Sequence, residues 1–95
     1  MISIKLFDFV GAFAENKDKA QTLRNDQIIP ALNRGEEVIL DFEKIDAATQ
    51  SFVHALISDL FRNYGNDILD RLSFKNCNET VQKIIEIVVD YMQES

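Results

Sequence analysis

The chain has 95 residues, 46% apolar and 27% charged. This is enough for one hydrophobic core in one domain, residues 1–95, and too balanced a composition for a disordered segment. Ten Lys and Arg stand against sixteen Asp and Glu, a net charge of −6, which argues against the basic face of a nucleic-acid binder and against docking on an anionic membrane.

In chain order, residues 2–10 (ISIKLFDFV) alternate in the manner of a strand apolar on both faces, with Ile2, Ile4 and Leu6 opposed to Phe7 and Phe9. Gly11 ends it. Residues 15–33 predict a helix capped by Asn16, with Asp18 in its first turn and a stripe of Ala20, Leu23, Gln27, Ile28, Ala31 and Leu32. Pro30 has no amide hydrogen and clashes with the carbonyl of Asp26, so this helix is expected to kink before it stops at Asn33 and Gly35.

Residues 36–42 (EEVILDF) are nearly continuous in apolar side chains from Val38, which predicts a strand covered on both faces by helices. Lys44 to Gln50 read as a loop. Residues 51–64 carry Phe52, Val53, Leu56, Ile57, Leu60, Phe61 and Tyr64 at helical spacing, with Thr49 or Ser51 as the cap and Gly65 as the stop. Residues 68–75 predict a third strand with Leu72 and Phe74 inward. Residues 79–94 predict a last helix, capped by Asn78, that buries Val81, Ile84, Ile85, Val88 and Met92. Ile87, Val89 and Tyr91 widen its apolar face.

Strands alternating with helices imply an α/β fold with a mostly parallel sheet of three or four strands and about three helices. In such a sheet, functional groups gather beyond the carboxyl ends of the strands. That edge includes the loop from Lys44 to Ser51.

Few residues carry catalytic chemistry. His54 is the single histidine and Cys77 the single cysteine, so no metal cluster, no serine triad with an elbow motif and no internal disulfide is indicated. Gly11, Gly35 and Gly65 are too scattered for a phosphate-cradling loop. No catalytic, metal or cofactor-binding residue is assigned. A lone cysteine suits a reducing compartment. No apolar run approaches the ~20 residues of a membrane span, and MISIKLFDFV lacks the pattern of a signal peptide. The cytoplasm is the expected location.

The stretch VILDFEKIDAATQSF, residues 38–52, resembles the signature of STAS domains, the fold of bacterial anti-sigma-factor antagonists. In that family a central strand ending in Leu-Asp passes through a short loop to a helix that opens at Asp-Ser-Ser-Gly. Leu40–Asp41 match the strand end, Ile45 the apolar loop residue, and Thr49-Gln50-Ser51-Phe52 fall on the four motif positions. A narrower resemblance is to the STAS-like domain family of unknown function, through Leu40-Asp41-Phe42 and the helix start Ser51-Phe52. It extends by element order from roughly Phe9 to Tyr91.

The resemblance implies a small STAS-like sandwich and a non-enzymatic, regulatory protein-interaction domain. Its implied partner is an ATPase or kinase of histidine-kinase-like fold, or another signalling protein. It also implies a partner-binding or phospho-switch site at Asp41, Thr49, Gln50, Ser51 and Phe52. The usual phosphoacceptor serine is replaced here by Gln50, so a switch would have to use Thr49 or Ser51, residue types that helix capping already explains.

The acidic group Glu36, Glu37, Asp41, Glu43 and Asp46 is either a solvated rim or a face for a basic partner. Two further readings remain. One is a small-ligand sensor, or accessory enzyme subunit, with a crevice lined by Asp41, Thr49 and Ser51. The other is self-association as a homodimer, through helix 79–94 or strand 2–10.

Overall fold

The computed structural model describes residues 1–94. In chain order the elements are β1 (Ile2–Lys5), α1 (Phe7–Val10), β2 (Phe13–Ala14), α2 (Lys17–Leu23), a π turn (Arg24–Ile28), α3 (Ile29–Asn33), β3 (Val38–Asp41), β4 (Ala47–Ala48), α4 (Gln50–Tyr64), a 3-10 segment (Gly65–Asp70), β5 (Leu72–Lys75) and α5 (Glu79–Glu94). β3 lies between β1 and β5 in a parallel sheet, and β2 and β4 form a second parallel pair. The α/β class and the parallel sheet inferred from the sequence are both present.

Register decides which face of the sheet is covered. Ile2 and Ile4 align with Val38 and Leu40, and these with Leu72 and Phe74. These six are buried or half-buried and form the floor of the core with α4. The alternate row aligns Ser3 with Ile39 and Ser73, and Lys5 with Asp41 and Lys75. Ser3, Lys5, Ser73 and Lys75 are exposed. The helices of the core therefore cover one face of the sheet, while on the other the flanking strands are exposed and only Ile39 at the centre is buried, a correction to the two-sided helical cover expected for β3. Its unbroken apolar run misled because Ile39 alone is apolar on the open side.

The strand expected over residues 2–10 stops at Lys5. Leu6 N–H makes the last bond to β3, onto the Asp41 carbonyl, and β3 ends there. With no ladder left to join, the chain satisfies its backbone in a helical turn: Phe9 and Val10 donate to the Leu6 carbonyl, and Gly11 to that of Phe7. Gly11 has φ 72°, which closes the turn. The loop after β3 also contains an element that sequence did not reveal. Ala47–Ala48 pair with Phe13–Ala14, while Asp46 N–H reaches the Ala12 carbonyl and Thr49 N–H the Ala14 carbonyl. The third strand begins at Leu72, since residues 65–70 wind into a 3-10 segment that buries Ile68.

The kink expected at Pro30 takes the form of a π turn. Ile29 N–H bonds to the Arg24 carbonyl, five residues back, so the widened turn relieves the proline's clash with the preceding carbonyls. Ala20, Leu23, Ile28, Ala31 and Leu32 all stay buried across it, and Gln27 is half-buried. The caps are as read from sequence: Asn16 accepts from Asp18 and Lys19 N–H, Thr49 from Phe52 N–H and Asn78 from Val81 N–H.

Candidate functional site

Asp41 is the last residue of β3, on the open face of the sheet between Lys5 and Lys75. Its Oδ1 accepts from Asn76 Nδ2 at 2.9 Å and from Glu43 N–H at 2.9 Å. The Asn76 hydrogen bond, then the Glu43 amide, hold its pKa below the ordinary 3.8, and the charges of Lys5 and Lys75 act in the same direction against a small burial penalty. This carboxylate ties the turn after β3 to the turn after β5, where Asn76 has φ 59°. Neighbouring Cys77 has its thiol pKa pushed up by burial and by the Asp41 charge, the reverse of an activated nucleophile. Glu36 sits at the other end of β3, paired with Arg34 at 2.9 Å, so the acidic group splits between the two ends of the strand.

The four residues at the start of α4 divide by role. Thr49 is extended (φ −82°, ψ 154°), and its Oγ1 accepts from Phe52 N–H at 3.0 Å. Phe52 is 0% exposed and belongs to the core. It is out of reach of a partner, so its candidacy as a contact residue does not survive its placement. Gln50 and Ser51 are exposed. Both line an open groove of about 570 Å³ between α2 and α4, together with His54 and Ser58 of α4.

The opposite wall of that groove carries Lys17, Gln21 and Arg24. The Arg24 guanidinium lies in the helix packing, where it donates to the Ala55 carbonyl and pairs with Asp59 at 3.3 Å. Asp59 in turn pairs with Arg62 at 2.9 Å. Asp41 is not among the residues lining the groove, and among the described residues no hydrogen bond or ion pair joins it to Thr49, Gln50 or Ser51. The groove that holds Ser51 thus includes neither Asp41 nor Thr49, unlike the crevice expected from all three.

A third feature escaped the sequence reading. Phe7 (37% exposed), Phe9 (44%) and Phe13 (64%) stand out of the surface within seven residues. Lys44, from the loop after β3, places its Nζ 5.7 Å from the Phe7 ring centre. Asp46 N–H on the same loop bonds to the Ala12 carbonyl. Phe7 and, through the β2–β4 pair, Phe13 therefore adjoin the loop beyond the carboxyl end of β3, whereas Phe9 faces α2 beside Lys19, Leu23 and Gln27. The signal was present as alternating Phe7 and Phe9, but alternation was read as a strand.

Among the described residues, no group of three His, Cys, Asp or Glu is placed to hold a metal ion. Nor, among them, is any helix long and apolar enough to cross a membrane.

A small parallel α/β domain whose central strand ends in Leu-Asp and leads through a short loop to a capped helix is the architecture that the sequence resemblance implied. Residues 19–82, two-thirds of the chain, match the family described as STAS-like domain of unknown function. The chain belongs to that family. No curated protein and no solved structure matches it.

Proposed function

We propose that this STAS-like domain is a non-enzymatic, regulatory interaction module that docks on a partner protein through residues 7–13 and the adjoining loop 43–49. The observation that carries the reading is that three phenylalanines within seven residues are exposed. Aromatic side chains bury the most apolar area per residue at interfaces, and several together on a small domain mark a contact site. The loop beside them runs into Thr49, Gln50 and Ser51, which the STAS resemblance assigns to partner contact. Asp8, Glu43 and Asp46 on the same two segments would favour a partner with a basic rim. An ATPase or kinase of histidine-kinase-like fold, the partner class of anti-sigma-factor antagonists, is the first to test. A regulatory hydroxyl, if one operates, is better placed at exposed Ser51 than at Thr49, whose oxygen already caps α4.

Co-expression with the products of adjacent genes, followed by gel filtration, tests this. The expected result is a stable complex with one of them that the double change Phe9→Ser, Phe13→Ser weakens at least tenfold without lowering the melting temperature of the isolated domain. Undiminished binding by the double variant, or the absence of a complex with every neighbour, overturns it.

A further inference from the structure

α5 presents more apolar surface than the core uses. Val81, Ile85 and Val88 seat it in the core. A second apolar row runs beside that stripe: Ile84 is half-buried, Ile87 is 49% exposed and Tyr91 is 61% exposed. Spacings of three and then four residues place these side chains in line along the helix, as in the seam of a coiled coil. The Tyr91 ring lies 6.2 Å from the His54 ring, so the row borders α4. Lys83 and Asp90 each precede a member of the row and flank it on the side away from the core. Both are exposed, and among the described residues no ion pair engages either. They carry opposite charges about 10.5 Å apart along the axis. Glu79 and Glu86 lie further round the helix, away from the row.

We propose that this face of α5 joins two copies of the chain, with the helices antiparallel about a two-fold axis near Ile87. A two-fold axis perpendicular to the helices brings the same flank of each together, running in opposite directions. Lys83 of each copy then stands level with Asp90 of the other, and the ion pair is made twice. At that register Ile84 falls about 3 Å along the axis from Ile87 of the other copy, and Tyr91 lies between Ile84 and Thr80 of the other. One register therefore serves both the apolar row and its charges, as a self-complementary interface requires. A parallel pair would turn the charged flank of each helix towards the buried side of the other and make neither ion pair. One helix on another covers less than the ~1,200–2,000 Å² of a standard interface, so the dimer is expected to dissociate at about 10–100 µM. None of these residues belongs to segments 7–13 or 43–49, so the two surfaces can be tested independently.

The test is sedimentation equilibrium of the whole chain from about 5 to about 500 µM, a range that brackets the expected dissociation. Salt at about 0.15 M screens the repulsion between two chains of net charge −6. The expected result is a reversible monomer–dimer equilibrium. Ile87→Glu puts a charge in the centre of the row and weakens it at least tenfold, while the exposed site leaves the melting temperature of the monomer unchanged. Lys83→Glu and Asp90→Lys each set like charges opposite one another twice and weaken the dimer about threefold to tenfold. The double variant Lys83→Glu, Asp90→Lys restores it to within about twofold, because the ion pairs re-form with their signs exchanged. A monomer at every concentration overturns the inference. So does a dimer that Ile87→Glu leaves intact, including one lost instead on Phe9→Ser, Phe13→Ser. Single charge changes without effect, or a double variant as weak as the singles, overturn it equally.

Discussion

Residues 40–52 and residues 7–13 lie side by side, yet their side chains have opposite fates. In the first stretch nearly every distinctive group is engaged by the fold. Asp41 accepts from Glu43 and Asn76, Thr49 caps α4, and Phe42, Ile45 and Phe52 are buried. In the second, Phe7, Phe9 and Phe13 are exposed and the backbone is a single helical turn leading to a two-residue strand. The stretch that carries the family resemblance mainly builds the domain, and the stretch with surface to spare lies before the residues that match the family. Resemblance and availability for contact are separate properties, and only the structure distinguishes them here.

The sharpest way to break this comparison is to exchange aromatic losses between the two stretches. Phe52→Ala should cost about 3–5 kcal/mol, because it leaves a cavity among side chains that are themselves fully buried. That is a large share of the ~5–15 kcal/mol that holds a domain together. Phe13→Ser should change stability by no more than about 0.5 kcal/mol. Urea unfolding of the two variants settles it. Similar losses would mean that the exposed phenylalanines serve the fold after all.

The parts of this division that sequence revealed are those set by local rules. The long apolar stripes of α4 and α5 repeat at helical spacing, and Asn16, Thr49 and Asn78 precede their helices as caps should. Leu40–Asp41 at a strand end was equally legible. What escaped depends on partners distant in sequence. The end of β1 is set by where β3 stops, and two alanines become a strand because Phe13–Ala14 offer a ladder. The open face of the sheet follows from the pairing of Ser3 and Ser73 with Ile39. Nothing in the sequence marks Arg24, and its burial needs the Ala55 carbonyl and Asp59 of a helix more than thirty residues away. The groove could not have been anticipated without that packing. Asp41 was found as a strand-end residue, but Asn76, its partner, gave no sign of the role.

A smaller effect sharpens the comparison within the first stretch, between the two hydroxyls that could cap α4. Thr49→Val removes the acceptor for Phe52 N–H while keeping shape, and should cost about 1 kcal/mol. Ser51→Ala is expected to stay within a few tenths of a kcal/mol, since Ser51 is exposed and contributes no cap. Thermal unfolding followed by circular dichroism measures both. A larger loss at Ser51 would transfer the capping role to it and remove the case for Ser51 as the free hydroxyl.

The smallest effect concerns Asp41 and depends on pH. Its folded pKa lies below 3.8, so folding favours the charged form. The stabilisation is therefore fully present above pH 3.8 and is lost as the pH falls through the lowered folded value. Asp41→Asn keeps an oxygen that can accept from Glu43 N–H but gives up the charge felt by Asn76, Lys5 and Lys75. Because the group is partly solvated, the neutral-pH cost should be about 0.2–1 kcal/mol. That cost should shrink towards zero on acidification below pH 3.8, so that the stability curves of the two proteins converge there. Urea midpoints measured at steps from pH 7 to pH 3 report the convergence. A gap that stays constant across that range would show that the Asp41 contribution is geometric, and that its charge does not help to join the turns after β3 and β5.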